Sequence, residues 1–252
     1  MDTRAKIVLL IAFIVFIFVC SNFVSLLLMA FFTLLIVLMT RISFIKYLKS
    51  MKVILFVVVV TGILNLFYGT GDPIFQWWIL KITPAGIYNA LYVIVRIALL
   101  MMISAALTFT TSPSDLTDAI ERLMKPLTLL HIHVHEIAMM MTIALRFIPV
   151  LLEEIDKIMN AQKARGADLE GGNLVNRVKA LIPVLIPLFV SSFRRAGDLA
   201  MAMECRCYNG GSNRTRMKVL HFSGVDLVAL IVSLVVFSAV IVSNIMIKNP
   251  FV

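Results

Sequence analysis

Two stretches decide the fold of this chain: HEIAMMMTIALRFIPVLLEEIDKIMNAQKARGA at residues 135–167 and NLVNRVKALIPVLIPLFVSSFRRAGDLAMAMECRC at residues 173–207. Each begins with an apolar half that contains proline and ends with a charged half. Apolar residues at spacings of three and four predict two long amphipathic helices, over about 135–166 and 174–207.

An arginine between small residues ends each predicted helix. We call Ala164-Arg165-Gly166 the first tip and Cys205-Arg206-Cys207 the second tip. A cation there complements the negative end of the helix dipole, and Gly166 suits a left-handed helix cap. The repetition also favours two similar receptors on a partner, each taking one guanidinium group. The residues by themselves leave both interpretations open.

The composition is that of an integral membrane protein. Of the 252 residues, 61% are hydrophobic and 15% are charged, and the mean hydropathy is +0.99. We attribute the net charge of +9 to loops that set membrane topology, and not to nucleic-acid binding. The cysteines Cys20, Cys205 and Cys207 have neither zinc-site nor disulfide-framework spacing, so we expect free thiols in a reducing compartment.

Five apolar segments predict five membrane spans. Residues 7–39 are too long for one helix across a hydrocarbon core of about 30 Å, so we expect a tight hairpin at Ser21-Asn22 between two short spans. The first of these resembles a signal peptide but has no cleavage site, and we interpret it as a retained span. A basic loop is predicted at residues 41–52. The remaining spans are expected at residues 53–68, 84–110 and 226–247.

Lysine and arginine are distributed unevenly around these spans. Twenty of the 23 lie at the N-terminus, in residues 41–52, or between residues 122 and 218. Basic residues accumulate on the cytoplasmic side of membrane proteins. We therefore expect a multi-pass protein of the plasma membrane whose N-terminus and two tips face the cytoplasm.

The predicted fold class is all-α integral membrane, with about five transmembrane helices plus a cytoplasmic-side coupling module. Residues 1–110 would hold four spans, residues 111–218 the module, and residues 219–252 the last span. The module would contain one short helix at about 114–124 and the two long helices. Ser114 and Asp115 supply a candidate N-cap and an acidic first turn for the short helix, and Pro126 is expected to end it.

Five separated motifs occur in order along the chain: Thr111-Ser112-Pro113, Ala144-Leu145-Arg146-Phe147-Ile148-Pro149, Ala161-Gln162-Lys163-Ala164-Arg165-Gly166-Ala167, Ile186-Pro187-Leu188-Phe189-Val190-Ser191 and the second tip. Together they resemble the transmembrane T component (EcfT, related to CbiQ) of energy-coupling factor ABC transporters. The similarity covers residues 84–218 in motif detail and the whole chain in the order of its segments.

The resemblance implies a coupling subunit of an importer for vitamins or other micronutrients. Two cytoplasmic ABC ATPases would bind the first and second tips, and a membrane-embedded S component would bind the substrate. Members of the family usually carry Ala-Arg-Gly at the second tip, so Cys207 leaves the cap geometry there open. Methionine suits a surface that repacks against different partners, and equally an apolar core. The residues expected to face the S component are Met139, Met140, Leu152, Met159, Met201 and Met203.

Other chemical signals are weaker. His131, His133 and His135 alternate in one short segment, and we favour a polar hinge there over a metal site. Arg96 lies within a predicted span and is expected to face the helix bundle as an internal anchor. The sequence has no Gly-x4-Gly-Lys-Ser/Thr, His-Glu-x2-His or Gly-x-Ser-x-Gly motif. We therefore expect neither ATPase nor other enzyme activity, and no cofactor.

The alternative function is that of a permease with its own translocation path. A permease needs polar groups along a route through the middle of the membrane, usually at broken helices. The predicted spans contain few such groups, which favours the coupling subunit.

Overall fold

A computed structural model describes residues 1–40, 42–52, 54–67, 75–77, 80–130, 133–168, 171, 173–210 and 221–247. The chain is an all-α integral membrane protein, as predicted, apart from one hairpin of two three-residue strands. The elements in order are α1 Thr3–Val19, α2 Phe23–Met39, α3 Phe44–Met51, α4 Leu55–Phe67, β1 Phe75–Trp77, β2 Leu80–Ile82, α5 Pro84–Thr110, α6 Pro113–Met124, a 3₁₀ helix Lys125–Leu130, α7 Val134–Ala164, α8 Leu174–Cys205 and α9 Gly224–Met246.

The chain divides into two compact units. The first unit comprises Met1–Ala119 and Val219–Val252, and the second unit comprises Ile120–Lys218. Helices α1 to α5 and α9 belong to the first unit, and α7 and α8 belong to the second.

The core of the first unit is formed by α1, α2, α5 and α9. Aromatic side chains connect these helices: the ring centroids of Phe16 and Phe237 lie 4.0 Å apart, and those of Phe13 and Phe32 lie 6.0 Å apart. Phe13 and Phe32 are about equally distant in sequence from Asn22, so α1 and α2 run back past each other. The predicted hairpin at Ser21-Asn22 is confirmed.

Side chains from α5 and α9 satisfy the backbone at this hairpin. The carbonyl oxygens of Val19 and Cys20 lie where α1 ends, so they lack helical N–H partners. Asn244 Nδ2 donates to the Val19 oxygen at 2.9 Å. Arg96 Nη2 donates to the Cys20 oxygen at 2.8 Å, and the Tyr92 hydroxyl donates to the same oxygen. A carbonyl left unpaired in an apolar bundle costs several kcal/mol, so these contacts stabilise the break.

Arg96 is therefore an internal anchor, as predicted. Its guanidinium also donates to the Tyr92 hydroxyl at 2.8 Å and lies over the Tyr92 ring, 4.6 Å from the centroid. The partners are a backbone carbonyl and an aromatic ring, which explains how the span holds a cation without a nearby carboxylate in the sequence.

The opposite end of the first unit joins the start of α1, the end of α5 and the start of α9. The Asp2 N–H donates to Asp226 Oδ1 at 2.8 Å, while Asp2 itself caps α1 by accepting from the Arg4 N–H. Lys6 Nζ donates to the Thr110 carbonyl at 2.9 Å. These contacts place Arg4 and Lys6 at the same end of the bundle as the end of α5.

The structure corrects two local predictions. The predicted loop at residues 41–52 contains a helix, α3, because its pattern is amphipathic: Tyr47 is buried against the Phe109 ring while Lys46 and Lys49 are exposed. The predicted N-cap at Ser114 is also wrong, since the Ser112 hydroxyl accepts from the Asp115 N–H at 3.2 Å and Pro113 is the first helical residue. Proline suits that first position because it has no N–H to leave unpaired.

Four of the described helices are long and apolar enough to cross a membrane. There are five such spans if α3 and α4 form one span bent by 63°. The four are α5, α7, residues 175–205 of α8, and α9. The predicted span at 84–110 is confirmed, and α9 begins two residues before the predicted 226. The helices α1 and α2 have 17 residues each, about 25 Å, which is at the lower limit for a span. The helices that meet the length and composition criteria therefore include α7 and α8, which were predicted to lie outside the membrane. They do not include α1 and α2, which were predicted as spans.

We predict that Arg96→Met destabilises the first unit by about 1–3 kcal/mol, because a charge-assisted hydrogen bond to the Cys20 carbonyl is lost. Thermal unfolding of the detergent-solubilised protein measures the effect as a lower midpoint. Thr108→Val on the same helix is the control, since the Thr108 hydroxyl donates to its own helix at the Ser104 carbonyl. An Arg96→Met protein as stable as the control would contradict the anchor.

Candidate functional site

The first tip ends α7 in a Schellman motif. The Gly166 N–H donates to the Lys163 carbonyl and the Ala167 N–H donates to the Gln162 carbonyl, both at 3.0 Å. Gly166 has φ +84°, the left-handed conformation that glycine adopts without steric cost. The predicted left-handed cap at Gly166 is confirmed. Ala164, Arg165 and Gly166 are all exposed.

The second tip repeats this geometry without glycine. The Cys207 N–H donates to the Glu204 carbonyl at 2.8 Å, and the Tyr208 N–H donates to the Met203 carbonyl at 3.0 Å. Cys207 has φ +56° and is the one non-glycine residue of the described chain with a positive φ. Cys205, Arg206 and Cys207 are all exposed, and both cysteines are free thiols. The cap geometry left open by the sequence is therefore the same at both tips.

The helices α7 and α8 are antiparallel, so the tips lie at opposite ends of the pair. Near the first tip, Gln162 Nε2 donates to the Pro183 carbonyl at 3.3 Å. Next to the second tip, the Tyr208 hydroxyl donates to Met139 Sδ at 3.0 Å. Met139 precedes Arg165 by 26 residues, so the two tips are separated by about 35–40 Å at 1.5 Å per residue.

The acceptor used by Gln162 exists because α8 contains proline. Pro187 has no N–H to donate to the carbonyl four residues earlier, which is that of Pro183. Such a freed carbonyl is exposed at a proline kink and takes another donor where one is available. The side chain of Gln162 is that donor, and its own carbonyl belongs to the cap of the first tip.

The middle of the pair is joined by Glu154. Its Oε2 lies 2.7 Å from Arg195 Nη2, and its Oε1 accepts from the Ser191 hydroxyl. An open cavity of about 320 Å³ lies beside this contact, with mixed charge in its lining. The lining residues are Val150, Glu153, Glu154, Lys157, Ile158, Ala161 and Arg195.

The six residues predicted to face a second membrane partner are spread along the length of the helix pair. Met140, Leu152 and Met201 are exposed, and Met139, Met159 and Met203 are half-buried. Since the helices are antiparallel, Met139, Met140, Met201 and Met203 lie toward the second tip. Leu152 lies near the middle of α7, and Met159 lies toward the first tip. Whether these side chains meet a partner stays a prediction.

Sequence reasoning missed the residues that join the helices: Gln162, Glu154, Ser191, Arg195 and Tyr208. The available signal was weak. Glu154 and Arg195 are charges next to apolar halves of their helices, but 41 positions separate them and no short motif pairs them. Whether the two side chains come into contact depends on the orientation of α7 and α8 about their own axes.

The histidine segment does not form a metal site in the described chain. His135 Nδ1 lies 3.0 Å from Glu121 Oε1, and His133 stands at the N-cap of α7. His131 lies outside the described residues. Among the residues that the structure describes, no three histidine, cysteine or acidic side chains come close enough to share a metal ion.

The equivalent caps predict opposite responses to substitution. Gly166→Ala should destabilise the first tip by about 1 kcal/mol, because alanine is strained at positive φ. Cys207→Gly should stabilise the second tip by a similar amount. Hydrogen exchange of the Ala167 and Tyr208 amides measures both, as roughly fivefold faster and fivefold slower exchange respectively.

Gly197→Ala is the matched control, since Gly197 lies within α8 and an added Cβ meets no atom within 4 Å. That substitution should slow exchange, because alanine is the better helix former. Faster hydrogen exchange in Gly197→Ala would show that φ does not control the stability of the caps. The same conclusion would follow if Gly166→Ala and Cys207→Gly changed the exchange rates of their caps in the same way.

Comparison with known proteins is consistent with these features. The sequence profile of the cobalt transport protein family, CbiQ, matches residues 1–217. A Clostridium kluyveri protein named energy-coupling factor transporter transmembrane protein EcfT is 46% identical over 247 residues, covering 97% of this chain and 92% of the relative. Proteins of the same name from Ruminiclostridium cellulolyticum and Bacillus subtilis are 49% and 41% identical, covering 95% and 96% of this chain and 90% and 91% of the relatives.

Proposed function

This chain belongs to the EcfT family, the transmembrane components of energy-coupling factor transporters, and from that membership we propose that it couples two cytoplasmic ATPases to a substrate-binding S component. It is a multi-pass membrane component of a transporter and not itself a catalytic enzyme. The coupling role, the partners and the docking residues are the proposed part.

One observation carries the proposal: two exposed arginines sit on backbone caps of identical hydrogen-bond pattern at opposite ends of one helix pair. An identical cap presents Arg165 and Arg206 in the same way to two similar receptors. A guanidinium binds carboxylates or backbone carbonyls through a fork of N–H donors, so each tip suits a polar groove on an ATPase. Ala164 and Gly166, like Cys205 and Cys207, are small and allow a close approach.

The charge distribution of the first unit supports a cytoplasmic N-terminus. Arg4, Lys6, Lys46 and Lys49 lie at the end of the bundle where α1 starts and α5 finishes. The chain enters the proposed coupling module, residues 111–218, directly from that end of α5. Since basic residues accumulate on the cytoplasmic side, we propose that this end of the first unit faces the cytoplasm, and the 14 lysines and arginines between residues 122 and 218 favour the same side for the tips. Residues 1–110 and 219–252 are the proposed membrane part.

The S component is proposed to contact the apolar surface of the long helices. Met140, Leu152 and Met201 are exposed by 59%, 57% and 66%. Thioether side chains can repack when a partner moves or is exchanged. This surface would receive the motion that the ATPases impose on the tips.

We predict that Arg165→Glu and Arg206→Glu each weaken ATPase binding by about 10- to 100-fold, the loss of a hydrogen-bonded charge worth about 1.5–3 kcal/mol. The double substitution should abolish assembly. Co-purification of the detergent-solubilised chain with its two ATPases measures the yield. Lys163→Glu, at the residue directly before the first tip, is the control for a change of charge beside the arginine. A double variant with normal complex yield would show that the tips do not dock the ATPases.

We also predict that the chain purified alone binds no transport substrate tightly. Riboflavin, thiamine, biotin and Co²⁺ are suitable probes in equilibrium dialysis, and dissociation constants should exceed about 1 µM. Submicromolar binding of any of them by the isolated chain would favour a permease with its own translocation path.

A further inference from the structure

We propose that Glu154, through its contacts with Ser191 and Arg195, is a positioning residue that fixes the angle between α7 and α8, and with it the separation of the two tips. The inference rests on the proposed function, because ATPase docking is what makes the tip separation matter.

Both carboxylate oxygens of Glu154 are used across the helix interface. One accepts from the Ser191 hydroxyl and the other lies 2.7 Å from the Arg195 guanidinium. Ser191 and Arg195 are four residues apart, so they lie on the same face of α8, one turn from each other. A single carboxylate that contacts two successive turns, about 6 Å apart along α8, resists sliding of α8 and also a swing of α8 about the contact, because either motion lengthens one of the two contacts. The contact therefore defines an orientation and not only a proximity.

The contact lies at the midpoint between the tips. Arg165 follows Glu154 by 11 residues, and Arg206 follows Arg195 by the same 11. Each tip is thus about 16 Å from the contact, in opposite directions. A change of about 20° in the crossing angle, the usual scatter within one packing class, would move a tip by about 5 Å. A displacement of that size would change the distance at which the two tips hold their ATPases, while each tip keeps its own cap and its own contacts.

Few other interactions fix this angle. Among the described side chains of α8, only Val184 is buried, so no extensive apolar interface holds the pair. The contacts nearer the tips are neutral: the Gln162 amide donates to a carbonyl, and Tyr208 donates to a thioether sulfur, which is a weak acceptor. The central contact is the one that carries charge, because the Ser191 hydroxyl donates to a carboxylate and the Arg195 guanidinium adds an ion pair at 2.7 Å.

The exposure of the pair suits a positioning role. The side chains of Arg195 and Glu154 are 43% and 18% exposed. An ion pair in contact with water adds little to folding stability, so its loss should leave the protein folded. Geometry, and not stability, is the property that should respond.

The test measures the distance between the tips in the assembled complex with both ATPases and an S component. Spin labels are placed at Asn160→Cys and Ala202→Cys, which are exposed, in a chain whose Cys205 and Cys207 are replaced by alanine and glycine to match the first tip. Pulsed electron paramagnetic resonance gives the distance distribution without nucleotide and after trapping with ATP and vanadate. The variants are Glu154→Arg, Arg195→Glu and the two combined, with Glu153→Arg as the control at the neighbouring exposed position.

We expect Glu154→Arg to retain the ATPases but to shift or broaden the distance distribution by about 5 Å and to abolish its change with nucleotide. The combined exchange of the two charges should restore the distribution, which loss of stability alone would not explain. Where Glu154→Arg fails to fold, Glu154→Gln should broaden the distribution in the same direction. Unchanged distances in Glu154→Arg or Glu154→Gln, or no recovery in the combined variant, would overturn the inference.

Failure of the proposed function gives a different result. In that case the unsubstituted chain does not retain the ATPases, whatever stands at residue 154. Retention by the unsubstituted chain with unaltered tip distances in the variants rejects the positioning role alone.

Discussion

Backbone groups that lose their helical partners are the constraint on which this structure depends. Inside an apolar bundle no water satisfies a carbonyl where a helix breaks, and at an exposed helix end a protein donor fixes one backbone conformation, which water does not do. The chain solves this at three kinds of position. Side chains of α5 and α9 donate to the carbonyls at the α1–α2 hairpin, Gln162 donates to the carbonyl that Pro187 frees, and Schellman motifs close both tips. The same requirement thus builds the membrane bundle and shapes the proposed docking site.

The two tips show how one backbone motif tolerates different sequences. A Schellman motif needs one residue in the left-handed conformation, and Gly166 supplies it at no cost. Cys207 adopts it at a cost of about 1 kcal/mol, because its Cβ crowds the carbonyl that follows. The two hydrogen bonds of the Schellman motif offset that cost, so the second tip keeps the same backbone conformation. The tips therefore differ in the chemistry beside arginine and in local stability, while their backbones are equivalent.

Local patterns in the sequence were sufficient for most helix boundaries. Proline after Thr83 and before Ser114 brackets α5, and the polar pair Ser21-Asn22 interrupts an apolar run that is too long for one span. The α3 helix was not predicted, because the basic residues of this segment are typical of a loop and only one residue of the helix, Tyr47, is buried. The role of Arg96 was predictable but its partner was not, since a backbone carbonyl leaves no trace in the sequence.

The candidate site was predictable in its tips and not in its interior. Each tip is local: a helix end, an arginine and a small residue within three positions. The contact between Glu154 and Arg195 is long-range, and its partners could be identified only once two helices had a fixed rotation. The same distinction bears on the proposed mechanism. Rigid caps hold each arginine in place, and the Glu154 contact sets the angle between two helices that share little buried apolar surface. A coupling element needs both properties, because a force applied at one tip reaches the rest of the pair only if the tip and the angle between the helices keep their shape.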